Sequence, residues 1–517
     1  MTFASINLPA GIERNATPYD TPNRWWDMNL IRWQAGTLRP IGGWQRSTQS
    51  ALDTNARYIN VYRDNSNARH IMVGTDAKLY TDIGGVFTDI TPTSFIPLTS
   101  IGAGGGYGTY EYNNYPGNTP ANTYGNARAF ASPIYSPSAF WSMSNWGEDV
   151  ILTANSDGRL FYYTTSTPST KPVAITGTNV PYGVTSTIVT NERHVMAIGF
   201  VDPNPTPDVL HPRGIAWCSR EDYTDWNFAS TTNTAGYIDT DARTPLQRAV
   251  RVREGVLIFS QSEAYISRYV GLPYIYNVER IADTTLINPM AVATFNGKAA
   301  WMGRNGFWKY EGGFLQPLLC PILNEVFGQI DPTYGPFRSH AAHNGTFPEI
   351  WFFYPSTGNT ECNRYLIWNY MEDWWAWGEL GRTAVAPGET YLRPYMGGSD
   401  GNIYEHEYGW TAAGATRVGS VWAETGMLPI TNGDRGVNIT SMLPANDFGS
   451  NSMAITFYSR QAPEGSERTF GPYTSRSNGY CDTRVTGRDV RFRIQQTTDD
   501  DWTLGKFRFN VETGTGR

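Results

Sequence analysis

Short segments of alternating apolar and polar residues recur along the chain, separated by turns that contain Gly, Asn or Asp. One sequence motif, a small turn followed by an aromatic or aliphatic run, recurs in residues 73–91, 154–164, 302–318 and 396–409. Alternation with a period of two marks half-buried antiparallel strands, and Gly, Asn and Asp tolerate the positive φ of tight turns. Repetition of one hairpin unit predicts an all-β array of sheets in place of a single sheet.

The spacing of these turns predicts the kind of array. Turns near Ser260, Arg304, Pro355 and Ser399 recur at roughly 45 residues, within the ~40–50 residue repeat of propeller blades. We therefore predict a β-propeller of six to eight blades over residues 58–412, with seven candidate units. An N-terminal arm and hairpin, residues 1–57, precede it. Alternating strands in residues 413–517 predict a separate C-terminal β-sandwich.

One segment inside the predicted propeller has no period. Residues 101–137 are rich in Gly, Tyr, Asn and Pro and read as a long inserted loop. A loop of this length in a compact domain is usually functional or mobile, and tyrosines make an ordered loop adhesive. We predict that it is a contact loop in an assembly; the alternative is an idle insertion. Its candidate contact residues are Tyr107, Tyr110, Tyr112, Tyr115 and Tyr124.

Composition and charge limit the partners. The 517 residues include 14% aromatic and 17% charged residues, with a formal net charge of −7. A protein that grips nucleic acid over a broad face would be basic, so we expect DNA to be at most a transient partner. No signal peptide and no long apolar run is apparent, and the four cysteines are widely spaced. We expect synthesis in a cytoplasm, without a membrane span.

Catalytic patterns are weak throughout. Most candidate carboxylates lie in or beside turns, where Asp usually bonds its own backbone. His340 and His343 could form a metal pair on a helix, but two ordinary loop or strand-end histidines are the favoured interpretation, since no third ligand is near. We expect no enzymatic activity, no cofactor and no metal. The carboxylates considered are Asp149, Asp157, Asp202, Asp208, Glu221 and Asp400.

The tryptophans of the segment NYMEDWWAWGEL allow two interpretations. Trp374, Trp375 and Trp377 could form a platform on which a sugar stacks. Core packing is the commoner use of tryptophan in such strands and is the favoured interpretation.

Three segments of the sequence resemble segments of tail proteins of tailed bacteriophages. They are LPAGIERNATPYDTPNRWWDMNLIRWQAGTLRPIGGWQR near the start, NERHVMAIGF with HPRGIAWCSREDYTDW in the middle, and GPYTSRSNGYCDTRVTGRDVRFRIQQTTDDDWTLGKFRFNVETG at the end. The pattern is similar to the β-propeller tail nozzle, or tail-hub, proteins of short-tailed phages. The resemblance implies a virion protein that forms a homo-oligomeric, hexameric ring below the portal and head–tail adaptor. DNA would pass through the ring, and tail fibres or tip proteins would attach to it.

Two other functions stay open at this point. One is a propeller of the host-recognition apparatus that binds or cleaves glycans, for which paired carboxylates in a cleft would be needed. The other is a baseplate or tail component of a long-tailed phage. The resemblance carries no catalytic or binding residue over to a position of this chain.

Overall fold

A computed structural model describes residues 2–15, 23–98, 138–204, 206–386, 391–428, 430, 435–447, 453–462, 465–476 and 479–513. Strands hold 51% of the residues and helices 2%, so the predicted all-β class is confirmed. Five strands precede the first propeller blade. They are β1 Thr2–Ile6, β2 Trp25–Asn29, β3 Ile31–Gln34, β4 Thr37–Pro40 and β5 Trp44–Arg46.

Seven four-stranded antiparallel sheets follow within the described residues, and they form the blades of a β-propeller. Blade one contains β6 Tyr58–Arg63, β7 Arg69–Gly74, β8 Leu79–Ile83 and β9 Val86–Asp89. Blade two contains β10 Trp141–Trp146, β11 Asp149–Ala154, β12 Phe161–Tyr163 and β13 Val173–Ala174. Blade three contains β14 Ser186–Val189, β15 Val195–Asp202, β16 Val209–Trp217 and β17 Gly236–Asp239.

Blades four to six repeat the same up-and-down order. Blade four contains β18 Leu246–Val252, β19 Gly255–Ser260, β20 Glu263–Gly271 and β21 Ile275–Asp283. Blade five contains β22 Val292–Phe295, β23 Lys298–Met302, β24 Phe307–Glu311 and β25 Phe314–Leu318, and is followed by the helices α1 Leu323–Gln329 and α2 Gly335–Arg338. Blade six contains β26 His340–Asn344, β27 Glu349–Tyr354, β28 Arg364–Asn369 and β29 Trp374–Glu379.

Blade seven closes the ring with a strand from the N-terminal region. Its first three strands are β30 Ala384–Val385, β31 Tyr395–Gly397 and β32 Ile403–His406, and its fourth is β5. Tyr404 pairs with Arg46 and His406 with Trp44. The first strand of each blade contacts the first strand of the next, and β30 returns to β6, so seven inner strands surround one axis. Closure by a remote strand ties the last blade to the start of the chain.

The turns used to predict the blades fall at one recurring place. Arg304, Pro355 and Ser399 lie between the second and third strands of their blades, and Ser260 is the last residue of the second strand of its blade. Because the first strands run in the same direction around the ring, these turns lie on one face of the propeller. The connections between successive blades share that face, and the turns between first and second strands lie on the other.

A β-sandwich is built from both ends of the chain. One sheet has the order β3-β4-β39-β34-β37, with β1 also paired to β39, and the other has the order β2-β33-β38-β35-β36. The sequence pattern predicted the sandwich from residues 413–517 alone, whereas four strands of residues 1–57 belong to it. Its C-terminal strands are β33 Trp422–Thr425, β34 Val437–Asp447, β35 Met453–Arg460, β36 Arg468–Thr474, β37 Cys481–Gly487, β38 Asp489–Gln496 and β39 Thr503–Thr513.

The segment expected as an N-terminal arm is therefore divided between two bodies. The hairpin predicted within residues 1–57 is present and turns at Ala35–Gly36, where Gln34 pairs with Thr37. Strands β1 to β4 join the sandwich, and β5 joins blade seven. Alternation of apolar residues specifies which side of a strand is buried, but it carries no mark of a partner hundreds of residues away.

One hydrophobic core joins the sandwich to the propeller. Strands β2 and β3 contact β29, and Trp33 packs against Trp374 with ring centroids 5.4 Å apart. The predicted core role of Trp374, Trp375 and Trp377 is confirmed, since none is more than 3% exposed. Shared burial of large aromatic rings holds the two bodies in one arrangement.

The described helices are too short to cross a membrane. Helix α1 has seven residues and α2 has four, and no helix in the described ranges has a sufficiently long apolar stretch.

Candidate functional site

The predicted contact loop is inserted between blade one and blade two. The described chain stops at Leu98 and resumes at Ser138, so the candidate residues Tyr107, Tyr110, Tyr112, Tyr115 and Tyr124 lie outside the described residues. Strand β9 precedes the insertion and β10 follows it, which makes it a connection between blades. Both flanks therefore lie on the face that carries the recurring turns, and we call this face the insertion face.

Asp76 holds both flanks of the insertion. The backbone N–H of Leu98 donates to the carbonyl oxygen of Asp76 at 3.0 Å. The backbone N–H of Ala139 donates to the carboxylate Oδ1 of the same residue at 2.8 Å. Arg57 Nε donates to the other carboxylate oxygen at 2.8 Å. One turn of blade one therefore fixes the exit and the return of the chain.

Aromatic packing adds to this anchorage. Phe95 stacks on Trp141, with ring centroids 5.2 Å apart and planes 15° apart. Trp141 is fully buried, and its indole N–H donates to the carbonyl of Thr75 at 2.8 Å. The backbone N–H of Ile96 donates to Asp157 of blade two at 2.8 Å. The flank before the insertion is thereby attached to two blades.

A partly buried ionic cluster supports Asp76 on the side away from the insertion. Arg57 forms two hydrogen bonds of 2.7 and 2.8 Å with the carboxylate of Glu361, which lies on the corresponding turn of blade six. Arg338 Nε lies 3.4 Å from the same carboxylate. Burial alone would raise the pKa of Glu361, but hydrogen bonds and charge from Arg57 outweigh it and hold that pKa below its usual value. The cluster joins blades one and six at the base of the insertion.

Sequence reasoning missed this cluster. Asp76 was visible only as one more turn residue in the repeated phrase, and Arg57 and Glu361 are separated by 304 positions. No local pattern distinguishes a turn Asp that bonds its own backbone from one that anchors a second segment.

The carboxylates expected to be structural do bond to neighbouring groups. Asp157 pairs with Arg159 at 2.6 Å, and Asp400 accepts hydrogen bonds from Asn402 at 2.7 Å and Tyr404 at 2.5 Å. Asp149 accepts from the backbone N–H of Thr165 at 2.8 Å and from the hydroxyl of Tyr162. Asp157 and Asp400 bond within their own turns, as the sequence predicted, whereas Asp149 bonds to residues 13 and 16 positions away.

The two histidines considered as a metal pair lie on strand β26, not on a helix. His340 stacks on Phe353 at 4.9 Å, and the His343 ring nitrogen lies 3.2 Å from the hydroxyl of Tyr370. Burial lowers the pKa of each imidazole to about 4. The described residues contain no group of three or more side chains placed to hold a metal ion, and all four cysteines are buried and free.

A cavity lies in the groove between blades five and six. It has a volume of about 610 Å³ and is bordered on one side by residues 10–13 and Asn15. Trp308, Trp374 and Trp375 line it together with Glu13 and Asp373. The indole nitrogens of Trp308 and Trp374 have no hydrogen-bond partner within the described residues. Aromatic faces beside carboxylates and unused N–H donors suit a ligand with both apolar and hydroxyl-bearing surfaces.

Comparison with known proteins finds solved structures of low similarity. No protein-family model and no curated protein matches the chain. The WD40 domain of Pan2 from Neurospora crassa is similar at 7% identity with a TM-score of 0.40, covering 70% of this chain and 94% of that domain. The extracellular domain of BT4673 from B. thetaiotaomicron is similar at 10% identity with a TM-score of 0.29, covering 84% of this chain and 50% of that one. The fold assignment stands on the seven blades themselves.

Proposed function

We propose that the chain is a structural and binding protein of a phage tail, a nozzle or hub subunit that assembles into a homo-oligomeric ring. The β-propeller is the demonstrated part of this statement and is compatible with such a role. The assignment to a tail rests on the resemblance of three sequence segments to phage tail proteins. In this proposal the ring has six subunits, binds the head–tail adaptor above and fibres or tip proteins at its outside, and lets DNA pass.

The observation that carries the proposal is the double anchorage of the insertion on Asp76. A Tyr-rich segment whose two flanks are held at one rigid turn is presented from a fixed point of the propeller. A contact segment that starts from a fixed base loses less freedom on binding, which favours affinity. The sandwich, fixed to blade six by a shared core, adds a second rigid surface for neighbouring subunits.

The first test is the oligomeric state of the full chain and of two variants. In one variant residues 101–137 are replaced by a short Gly-Ser linker, which can span the gap because both flanks bond to Asp76. In the other variant the length is kept and Tyr107, Tyr110, Tyr112, Tyr115 and Tyr124 are changed to Ser. We expect rings for the native chain by native mass spectrometry and electron microscopy, and loss of rings in both variants at an unchanged melting temperature.

Three outcomes would contradict the proposal. If the native chain stays monomeric at high concentration and in the presence of the adaptor, the proposed ring assembly is wrong. If both variants assemble as the native chain does, the proposed contact role of the tyrosines is wrong. If antibodies label virions elsewhere than at the tail, the proposed location is wrong. Labelling at the end of a contractile or flexible long tail would support the baseplate alternative.

The cavity between blades five and six favours a second candidate, glycan binding by the host-recognition apparatus. We expect host envelope polysaccharide to bind if this is correct, and Trp308→Ala to weaken binding at least tenfold. Tyr182→Ala, an exposed aromatic residue outside the cavity, is the matched control. Release of defined fragments that Glu13→Gln abolishes would point to glycan cleavage. Absence of binding by isothermal titration calorimetry would exclude this candidate.

A further inference from the structure

A second, smaller cavity lies on the axis of the propeller. It has a volume of about 130 Å³ and is lined by residues of five inner strands, β6, β10, β14, β18 and β22. Its polar lining includes Asn60, Asn145, Thr187, Arg248 and Arg251, and no carboxylate lines it. Glu192 and Glu254 line a neighbouring cavity of about 150 Å³ that shares Arg251. The axial cavity is therefore a basic site in an acidic protein.

Arg248 has no carboxylate partner within the described residues. Its buried Nε has no hydrogen-bond partner within the described residues, and its terminal nitrogen reaches only the hydroxyl of Ser142, at 3.4 Å. Its guanidinium carbon lies 5.1 Å from the ring centroid of Phe140 and 5.8 Å from that of Tyr58. Ring contacts stabilise a cation much less than a carboxylate does in a partly desolvated place.

The deeply buried arginines of the described chain have closer acceptors than Arg248 has. Arg382 and Arg417 form no ion pair within the described residues, but Arg382 donates to a backbone carbonyl at 2.6 Å and Arg417 to two at 2.7 and 2.8 Å. Arg32 contacts two carboxylates and Arg57 also contacts two. Arg248 is partly buried and Arg251 is exposed, and neither forms an ion pair within the described residues. The contrast indicates that the partner of Arg248 is supplied from outside the described chain.

Asn60 provides an independent observation. It is 9% exposed, lines the same cavity, and its amide nitrogen Nδ2 is buried without a hydrogen-bond partner among the described residues. Buried amide donors are nearly always satisfied, so a lone one beside a lone guanidinium points to an absent acceptor. Both groups are donors, and the species that accepts from both is an oxyanion.

We propose that the axial cavity binds a small free oxyanion of the phosphate or sulfate type, held by Arg248 and Asn60. The volume suits a single tetrahedral group and excludes a nucleotide or a polynucleotide. The bound anion would neutralise the guanidinium and bridge blades one and four, because Asn60 lies on β6 and Arg248 on β18. This inference does not depend on the proposed tail function, since it concerns one subunit.

Thermal unfolding in phosphate, sulfate and acetate at constant ionic strength tests the proposal, with chloride as the reference anion. Stabilisation by binding grows as the logarithm of ligand concentration, so we expect a rise in melting temperature that increases from 1 to 50 mM phosphate or sulfate and a smaller rise with acetate. Calorimetric titration with phosphate should give one site per chain. Equal response to chloride, or none to phosphate, would overturn the proposal.

Two variants keep the test decisive. Arg248→Gln should abolish the phosphate response, and Arg304→Gln, an exposed arginine on the turn of blade five, should leave it unchanged. Asn60→Asp places a carboxylate beside Arg248, so it should raise the melting temperature without phosphate and remove the response to phosphate. Retained phosphate binding in both Arg248→Gln and Asn60→Asp would show that the anion binds elsewhere.

Discussion

Arg32 on sandwich strand β3 forms a buried ion pair with Glu349 on blade six, with Nε and Oε1 3.0 Å apart and both side chains 1% exposed. The same guanidinium donates to Glu407, which follows β32 of blade seven, at 3.0 Å. One cation therefore serves two carboxylates at the junction of the sandwich and two blades. Because only one negative charge is compensated, the other carboxylate is favoured in its neutral form.

This excess of carboxylate makes stability depend on pH. Burial, opposed by Arg32 and reinforced by Glu407, raises the pKa of Glu349 to about 7. A free Glu titrates near ~4.3, so between about pH 4.3 and 7 the folded protein binds more protons than the unfolded chain. The stability from this group is fully present below that window and is lost as the pH rises through it.

Glu349→Gln should remove this dependence, because the amide stays neutral and can still accept from Arg32. The melting temperature of the native protein minus that of the variant should be larger at pH 5 than at pH 8, from a contribution of about 3 kcal/mol. Buried His340 and His343 titrate in both proteins and cancel in the difference. Glu379→Gln, at an exposed carboxylate, is the control, and a difference independent of pH would contradict the assignment.

Asp76→Asn should loosen the base of the insertion. The change removes the charge that pairs with Arg57, and it should lower the free energy of unfolding by about 1–3 kcal/mol. Hydrogen exchange at the amides of Leu98 and Ala139 should become faster, as measured by mass spectrometry. Asp82→Asn is the control, because Asp82 caps only the backbone N–H of Gly85 in its own turn. Unchanged exchange at both flanks would show that Asp76 is not their anchor.

Gly43→Ala should weaken the closure of blade seven. A Cβ at this position would lie 2.3 Å from the carbonyl oxygen of Thr411, which accepts from the N–H of Trp44 at 3.0 Å. Overpacking against backbone usually costs about 1–3 kcal/mol, so the melting temperature should fall. Gly328→Ala, where a Cβ meets nothing within 4 Å in helix α1, should leave it unchanged or raise it. Equal melting temperatures for the two variants would contradict this role.

Phe492→Ala should test the sandwich core. Phe492 is fully buried, and its ring lies 4.8 Å from that of Phe507 and 6.4 Å from that of Trp25. Loss of a buried Phe typically costs about 3–5 kcal/mol, measured here by chemical denaturation. Arg484→Ala on the exposed side of β37 should change stability by less than about 0.5 kcal/mol. A small effect of Phe492→Ala would mean that the sandwich is not packed as described.

The sequence by itself determined the local geometry of this protein. The alternation predicted for residues 413–517 is seen in β37 and β38, where the apolar side chains of Val485, Phe492 and Ile494 are buried. The recurring turns, Ser260 and Ser399 among them, marked blades because Gly, Asn, Asp and Ser shape the chain within a few residues. Such signals are local, since they depend on backbone preference and on which side of a strand is apolar.

Only the tertiary structure decided which remote segments meet. Nothing in the pattern of Trp44–Arg46 marks it as the last strand of blade seven, and Arg32 finds Glu407 across 375 positions. The role of Asp76 and the lack of an acceptor for Arg248 Nε within the described residues likewise depend on several blades meeting at one place. Pairing between remote strands and the burial of charge are determined by the packing of the whole chain, because each depends on every neighbour that excludes water.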